Sequence, residues 1–364
     1  MHPLFRLTTA FAILFLLAAA TVPAAVRFSE KAPVDLHQCW RSQDDEGFIS
    51  IASAAKRVFG VTASARVVAL SALTGDRLWS VELGGVPAAE MVAGVAGLLV
   101  VSRSSTAAGS AKTSLRLLSF ETGIPSRSAE LPLAEKYFLQ ELNGSVIIAT
   151  SAGHVLSLDA VTLETKWDRK PVGAIDGANI SANGIVLISG EGQVLVLSPQ
   201  AGEVVSVFKT IGKPVAVLGI GSDKVIYSDE RGNIVSAASG RGFKAGARAD
   251  TLWMINDRVL VTSFDNFIYL LTPSGSVEWK RRLGGRPAGV AFTDDKRLLA
   301  FALGTASAVL LDIRSGKIVG GLILPESANF VRLPAAPGSN TFLLNGDIIG
   351  YSIGPCKIKG DTQE

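Results

Sequence analysis

The stretch that decides the fold runs from Ala69 to Trp79 and reads Ala-Leu-Ser-Ala-Leu-Thr-Gly-Asp-Arg-Leu-Trp. It joins an apolar run to a Thr-Gly turn and places a tryptophan four positions after the glycine. The turn recurs along the chain as Thr122-Gly123, Thr162-Leu163, Ala201-Gly202, Ser239-Gly240, Ser274-Gly275 and Ser315-Gly316. Successive copies lie about 40 residues apart, which is the spacing of a structural repeat.

Each turn follows two short apolar runs joined by a polar or glycine-containing connection, the composition of a β-hairpin. The same unit occurs eight times, at residues 58–71, 98–119, 146–158, 185–197, 224–236, 258–271, 298–312 and 341–352. Repeats of about 40 residues with a glycine and an aromatic residue at fixed offsets are typical of propeller blades. We therefore predict an all-β fold, a β-propeller of eight four-stranded blades, with seven blades as the alternative. Residues 104–112, which lengthen the second unit, are predicted to form a surface loop between strands.

The repeated residues have a structural explanation. A threonine or serine hydroxyl can bond the backbone of the turn, glycine can adopt positive φ, and tryptophan can pack between neighbouring blades. We assign this blade-forming role to Thr74, Gly75, Trp79, Thr122, Gly123, Asp159, Thr162, Trp167, Gly202, Gly240, Gly275, Trp279, Asp312 and Gly316.

The pattern resembles the pyrroloquinoline-quinone-type propeller repeat, whose signature is Ala-x-Asp-x-x-Thr-Gly-x-x-x-Trp. The first copy matches at Ala69, Thr74, Gly75 and Trp79, with Ser71 in place of the aspartate. The third copy matches at Asp159, Thr162 and Trp167, with Leu163 in place of glycine; the seventh matches at Asp312 and Gly316. The resemblance covers residues 45–355 and implies the propeller fold, but enzymes and non-enzymes share this motif.

Two branches of that family imply different functions. The dehydrogenase branch implies calcium, quinone and an adjacent pair of cysteines over the cofactor, a pair that this sequence lacks. The non-enzymatic branch includes the propeller lipoprotein that assists outer-membrane β-barrel assembly. Chain length favours the second branch, although no cysteine stands where that lipoprotein carries its lipid.

The N-terminus has the layout of a secretory signal. Arg6 precedes an apolar stretch over residues 10–20, and Val22-Pro23-Ala24 supplies small residues before a cleavage point after Ala24. An uncleaved anchor is the alternative, but the stretch is shorter than the ~20 residues that span a bilayer. We predict a signal peptide at 1–24, a segment closing the last blade at 25–44, the propeller at 45–356 and a tail at 357–364.

The two cysteines, Cys39 and Cys356, flank the repeats. Exported proteins retain disulfides, and the two ends of a closed propeller meet in one blade. We predict a Cys39–Cys356 disulfide that locks the ring, with two free buried thiols as the alternative.

Composition and charged clusters narrow the function. The chain has 364 residues and a formal net charge of +3, which gives no reason to expect a nucleic-acid partner. His154 and the acidic clusters at 44–47 and 229–233 are interpreted as solvated turn residues rather than catalytic or calcium-binding groups. The densest basic cluster, Lys280-Arg281-Arg282 with Arg286, is interpreted as a solvated strand end that could alternatively dock an acidic partner.

These observations predict an exported, non-catalytic scaffold that binds another protein of the envelope or the secreted fraction. A monomer without cofactor or metal is expected, and peripheral membrane association stays open. A quinone-dependent dehydrogenase is the first alternative, and a propeller that binds a small ligand or glycan in its channel is the second.

Overall fold

The computed structural model describes residues 34–356 apart from residues 55, 90, 106–109, 221–223, 294–296 and 335–338. The predicted signal peptide at 1–24 and the predicted tail at 357–364 lie outside the described residues. The described part of the chain holds 33 β-strands and no helix that could cross a membrane. The fold is the predicted all-β propeller.

The strands form eight groups, called blades 1 to 8 here, and the strands within each group pair antiparallel. Each blade has four strands except blade 2, which has five. The first strand of the described residues is β1 (Val34–Ser42), which belongs to blade 8. Blade 1 contains β2 (Phe48–Ala54), β3 (Arg57–Thr62), β4 (Arg66–Ser71) and β5 (Arg77–Glu82). Blade 2 contains β6 (Val86–Pro87), β7 (Val92–Ala93), β8 (Leu98–Ser105), β9 (Ala111–Leu118) and β10 (Pro125–Leu131), where β6 and β7 together replace one inner strand.

The next three blades follow one another without interruption. Blade 3 contains β11 (Tyr137–Leu142), β12 (Ser145–Thr150), β13 (Val155–Asp159) and β14 (Thr165–Arg169). Blade 4 contains β15 (Ile175–Ser181), β16 (Gly184–Ser189), β17 (Gln193–Leu197) and β18 (Val204–Lys209). Blade 5 contains β19 (Pro214–Gly219), β20 (Val225–Asp229), β21 (Asn233–Ser236) and β22 (Gly242–Lys244).

The last three blades complete the series. Blade 6 contains β23 (Ala249–Ile255), β24 (Arg258–Ser263), β25 (Phe267–Leu271) and β26 (Val277–Arg282). Blade 7 contains β27 (Pro287–Phe292), β28 (Arg297–Ala302), β29 (Ser307–Asp312) and β30 (Ile318–Ile323). Blade 8 contains β31 (Val331–Arg332), β32 (Thr341–Leu344), β33 (Asp347–Ile353) and, as its outermost strand, β1.

Strand β1 joins the two ends of the chain. It pairs antiparallel with β33, from Leu36 opposite Ile353 to Ser42 opposite Ile348. Its first two residues also pair in parallel with β30 of blade 7. Cys39 of β1 forms a disulfide with Cys356, at a Cα–Cα distance of 5.5 Å. Blade 8 is therefore built from both termini and held by a covalent bond.

The core lies between neighbouring blades. The two middle strands of blade 4 are buried on both faces, from Ile185 to Ile188 and from Val194 to Leu197. One apolar cluster joins blades 2 and 3, and another joins blades 5 and 6. Because each blade packs mainly against the next, continuous apolar runs replace the alternating pattern of a sheet that is solvated on one face.

The prediction of a loop over residues 104–112 was wrong at both ends. Strand β8 continues to Ser105 and β9 begins at Ala111, with Ser104 paired to Lys112. Backbone pairing extends the hairpin although the side chains are small and polar, because ladder hydrogen bonds satisfy the backbone whatever the side chain is.

Candidate functional site

The repeated turns lie on one face of the disc, which we call the lower face. Each turn follows the third strand of its blade, so it lies opposite the end at which the innermost strand begins. In six of the seven turns the N–H at the glycine position donates to a carbonyl four residues earlier, as from Gly75 to Ser71 and from Gly316 to Asp312. In the remaining turn Gly275 donates to the carbonyl of Thr272, three residues earlier. These residues shape the blades and contribute nothing to the centre of the disc.

In several copies the residue before the turn fixes the turn through its side chain. The carboxylate Oδ1 of Asp159 accepts the N–H groups of Val161 and Thr162, and Asp312 accepts the N–H and the hydroxyl of Ser315. In the first copy the hydroxyl of Ser71 accepts the N–H of Thr74 in the same way. Serine therefore replaces the aspartate of the signature without loss of the bond.

The tryptophans pack across blade boundaries. A Cβ atom added to Gly123 would lie 2.6 Å from the ring of Trp79, and one added to Gly316 would lie 2.5 Å from the ring of Trp279. Trp167 covers Gly202 in the same way. The indole N–H groups of Trp79 and Trp279 donate to the carbonyls of Phe120 and Ile313 in the next blade.

A fourth copy of this contact was missed in the sequence. Trp40 of β1 covers Gly75 and donates its indole N–H to the carbonyl of Ala72 at 3.1 Å. Nothing around Trp40 resembles the repeat, because the preceding turn of its blade lies at the other end of the chain. The contact joins blade 8 to blade 1 and completes the ring.

Three of the repeated positions have no tryptophan against them. Leu163 adopts φ +60 and is itself buried in the cluster between blades 2 and 3. Gly240 has no atom within 4 Å of an added Cβ, and Gly275 faces Gly242 instead of a ring. Where the ring is missing, a larger turn residue fills the space at Leu163, the backbone of Gly242 lies against Gly275, and the turn at Gly240 stays open.

The carboxylate of Asp159 gives the turn motif a pH dependence. Backbone N–H groups of Thr162 and Val161, and then the neighbouring Lys166, lower the pKa of Asp159 to about 2. Because this pKa is depressed in the folded state, the stabilisation is complete above the pKa of the unfolded chain and is lost as the pH falls towards 2. We expect wild type to be more stable than Asp159→Asn at neutral pH, with the difference shrinking between about pH 4 and pH 2. Denaturant unfolding at several pH values measures this difference in the free energy of unfolding. The control is Asp176→Asn, which removes the charge of an exposed aspartate.

Two acidic residues interpreted as solvated are buried. The side chain of Asp44 is only 2% exposed, and its carboxylate contacts the guanidinium of Arg66 at 2.5 Å. Asp229 is 1% exposed and accepts the N–H groups of Arg231 and Asn233. The interpretation as solvated turn charge was therefore wrong for both, because hydrogen bonds replace the water that the carboxylates lose.

Two further sequence interpretations concern His154 and the basic cluster. The Nδ1 atom of His154 lies 3.3 Å from a carboxylate oxygen of Asp168, at the end of β14.

In the basic cluster, Arg281 donates to the carbonyl of Gly316, and Lys280 lies over the ring of Phe267. Arg286 lies apart from both, on the opposite face. The four cationic residues therefore do not form one patch.

A cavity of about 780 Å³ lies in the central channel. The innermost strands form its wall, which combines Phe138, Gln140, Asn179, Trp253 and Arg332. Burial lowers the pKa of the Arg332 guanidinium below its usual value, although an arginine stays charged at neutral pH. The wall therefore offers aromatic surface, amides and a positive charge.

A cleft of about 300 Å³ opens beside the channel on the upper face, between blades 6, 7 and 8. Trp253 lines both cavities. We call the group formed by Arg248, Asp250, Phe264 and Arg286 the arginine cleft. The carboxylate of Asp250 forms ion pairs with both guanidinium groups. Its Oδ1 lies 2.6 Å from Nε of Arg248, and its Oδ2 lies 3.1 Å from Nη2 of Arg286.

Phe264 supports the same two arginines. The guanidinium carbon of Arg286 lies 3.1 Å from the centroid of the Phe264 ring, and that of Arg248 lies 5.7 Å away. One carboxylate and two guanidiniums leave the arginine cleft with an excess positive charge. Both arginine side chains are 45% exposed, so they keep donors for a carboxylate of a partner.

The described residues hold no group of three or more His, Cys, Asp or Glu side chains that could bind a metal ion. None of the residues assigned to the blade motif lines the channel or the arginine cleft. The candidate site consists of arginine and aromatic side chains that line these two cavities.

Comparison with known proteins agrees with this architecture. Residues 35–205 match a family model described as outer membrane protein assembly factor BamB. The resemblance to the quinoprotein-type repeat family is thereby confirmed. A comparison with curated proteins gives no significant match.

Several solved structures share the fold of this chain. BamB from Moraxella catarrhalis matches with a TM-score of 0.59 and 16% identity, over 91% of this chain and 100% of that one. The computationally designed Ika8 protein matches with a TM-score of 0.68 and 13% identity, over 85% of this chain and 98% of that one. Sqt1 of Saccharomyces cerevisiae matches with a TM-score of 0.67 and 9% identity, over 86% of this chain and 98% of that one. At these identities the matches concern the fold alone.

Proposed function

We propose that the protein is an exported, non-catalytic scaffold that binds another protein during outer-membrane protein assembly. The observation that carries this proposal is the match of residues 35–205 to the assembly-factor family. The similarity of fold over 91% of the chain to a protein of that name supports it.

The arginine cleft and the adjoining channel wall form the proposed binding surface. Arginine and aromatic residues are enriched among the residues that dominate protein–protein binding energy. Asp250 and Phe264 hold Arg248 and Arg286 in place before a partner arrives, which reduces the entropy lost on binding. The chemistry suits a segment that carries acidic and apolar side chains.

Export to an oxidising compartment fits the same proposal. The signal predicted at residues 1–24 directs the chain out of the cytoplasm, with cleavage after Ala24. The disulfide between Cys39 and Cys356 persists in such a compartment. N-terminal sequencing of the exported protein tests this point, and a mature chain that begins at Ala25 is the expected result.

Substitution of two residues of the arginine cleft is expected to weaken partner binding. We expect the double substitution Arg286→Ala with Phe264→Ala to weaken capture of the envelope partner by at least about 30-fold, the effect of losing a dominant contact residue. The matched control is Arg258→Ala, which removes an arginine paired with Glu278 on the lower face. Quantitative capture from envelope extract measures both variants.

The outcome also separates this proposal from its enzymatic alternative. Equal capture by both variants would place the partner on another surface. Deletion of the gene is expected to lower the amount of folded outer-membrane β-barrel protein, and the cleft variant should fail to restore it. Tight binding of pyrroloquinoline quinone with calcium in titration calorimetry would instead favour an oxidoreductase.

A further inference from the structure

The loop between blades 7 and 8 supplies one wall of the cleft on the upper face. Asn329 and Phe330 of this loop line the cleft, as Trp253 and Arg286 do. Phe330 is 37% exposed although its side chain is large and apolar. The guanidinium carbon of Arg332, which lines the channel, lies 5.4 Å from the centroid of the same ring. The loop therefore presents an accessible aromatic ring to the cleft.

Asn345, in the hairpin turn between β32 and β33, binds this loop through four hydrogen bonds. Its side-chain Oδ1 accepts the N–H groups of Asn329 and Phe330, each at 2.9 Å. Its Nδ2 donates to the carbonyl of Ser327 at 2.8 Å. Its backbone N–H donates to the carbonyl of Phe330 at 2.9 Å. One asparagine therefore fixes the backbone that carries the Phe330 ring.

The rest of the loop is held at its two ends. Ala328 donates its N–H to the carbonyl of Thr305 in blade 7 at 2.9 Å. Val331 is the first residue of β31 and pairs within blade 8. The two residues between these anchors reach the side chain of Asn345 through their N–H groups. The position of the Phe330 ring therefore depends on that side chain.

Asparagine meets two requirements at this position. Asn345 adopts φ +50, in the left-handed region that asparagine and glycine tolerate. Its amide can also both accept and donate, as the loop requires. Glycine at this position would keep the backbone angle and lose only the side chain. Asn143, also at φ +50 and also followed by glycine, lies in a turn on the lower face and is the matched control position.

The cleft combines aromatic surface with a cationic group. Trp253, Phe264 and Phe330 line it together with Arg286. Aromatic rings that pack together add to the free energy gained by burying apolar area, and a half-exposed guanidinium keeps donors for a carboxylate. A volume of about 300 Å³ is at the lower end for ligand pockets, so the cleft suits a single aromatic side chain.

We infer that the cleft takes an aromatic side chain of the partner that is flanked by an acidic one, and that Asn345 positions Phe330 for this contact. The aromatic side chain packs against Phe330, and the acidic side chain pairs with Arg286. This inference rests on the proposed function and names the kind of segment that the partner contributes. Because Asn345 holds the loop before binding, less conformational entropy is lost when the partner docks. Asn345 is therefore a positioning residue that acts through Phe330.

Short labelled peptides test the chemistry of the partner. Fluorescence anisotropy should show that the wild-type protein binds Gly-Asp-Phe-Asp-Gly more tightly than Gly-Asn-Phe-Asn-Gly, which lacks the carboxylates. It should also bind the first peptide more tightly than Gly-Asp-Ala-Asp-Gly, which lacks the ring. Phe330→Ala and Asn345→Gly should each weaken binding of the first peptide about fivefold, and Asn143→Gly should leave it unchanged.

A double-mutant cycle tests whether Asn345 acts through Phe330. In the Phe330→Ala background, Asn345→Gly should weaken peptide binding by less than about twofold, because the ring that it positions is gone. Amide hydrogen exchange over residues 327–332 should be faster in Asn345→Gly than in the wild type. Exchange over the same residues should be unchanged in Asn143→Gly.

The outcomes separate this inference from the proposed function. Equal binding of the three peptides by the wild-type protein would overturn the inference, and so would additive effects in the cycle. An Asn345→Gly protein with wild-type affinity and wild-type exchange would overturn it equally. If Arg286→Ala with Phe264→Ala still weakens capture of the envelope partner in those cases, the proposed binding surface stands. Unchanged capture by that variant would overturn the proposed surface itself.

Discussion

Replacing both cysteines, with Cys39→Ser and Cys356→Ser, is expected to lower the free energy of unfolding by roughly 2–5 kcal/mol. The bond closes a loop with a sequence separation of 317 residues. It therefore removes much of the conformational freedom of the unfolded chain. It also fixes β1 to the segment that follows β33, so its loss frees the strand that closes the ring. Denaturant unfolding with tryptophan fluorescence measures the change.

Reduction of the wild-type protein supplies the control for this prediction. A reducing agent should bring the wild-type unfolding curve close to that of the double variant and should leave the double variant unchanged. A loss below about 0.5 kcal/mol would contradict the prediction, because it would mean that strand pairing alone holds the ends together.

The second large effect is expected at Gly316. Alanine there must adopt φ +63, and its Cβ would lie 2.5 Å from the ring of Trp279. We expect Gly316→Ala to cost about 2–5 kcal/mol, since left-handed strain of roughly 1–2 kcal/mol adds to overpacking of about 1–3 kcal/mol. Gly240→Ala is the matched control: its φ is +66 with no atom within 4 Å, so only the strain remains.

A double-mutant cycle separates the two contributions. Trp279→Ala removes the ring and should itself cost about 3–5 kcal/mol, because a large buried side chain is lost. In that background Gly316→Ala should cost no more than Gly240→Ala costs in the wild type. Equal costs of Gly316→Ala in both backgrounds would show that the ring does not restrict the turn.

Much of the fold could be predicted because it is local. The turn at Thr74-Gly75 needs a hydroxyl, a positive φ and a carbonyl four residues away, all of which lie in consecutive residues. Repetition then gives the number of hairpins and the propeller class. Residue composition alone did not predict where the loop at 104–112 begins and ends, since backbone pairing there continues through small polar residues.

The candidate site could not be predicted in the same way. Asp250, Phe264 and Arg286 come from two blades and meet only when those blades pack side by side. The basic cluster that contains Arg286 in the sequence is divided in the structure, because the strand reaches the upper face before Arg286 occurs. Asp44 likewise gave no sign of burial, since its partner Arg66 follows after a complete hairpin.

The sequence by itself determined the repeat, the turn chemistry of each blade and the two cysteines that flank the series. Each of these depends on short stretches whose hydrogen bonds and backbone angles are set by neighbouring residues. Only the tertiary structure decided that Trp40 covers Gly75, that Arg248 and Arg286 share Asp250, and that the valines of β18 stay exposed. These features depend on which blades become neighbours when the ring closes, and closure is a property of the whole chain.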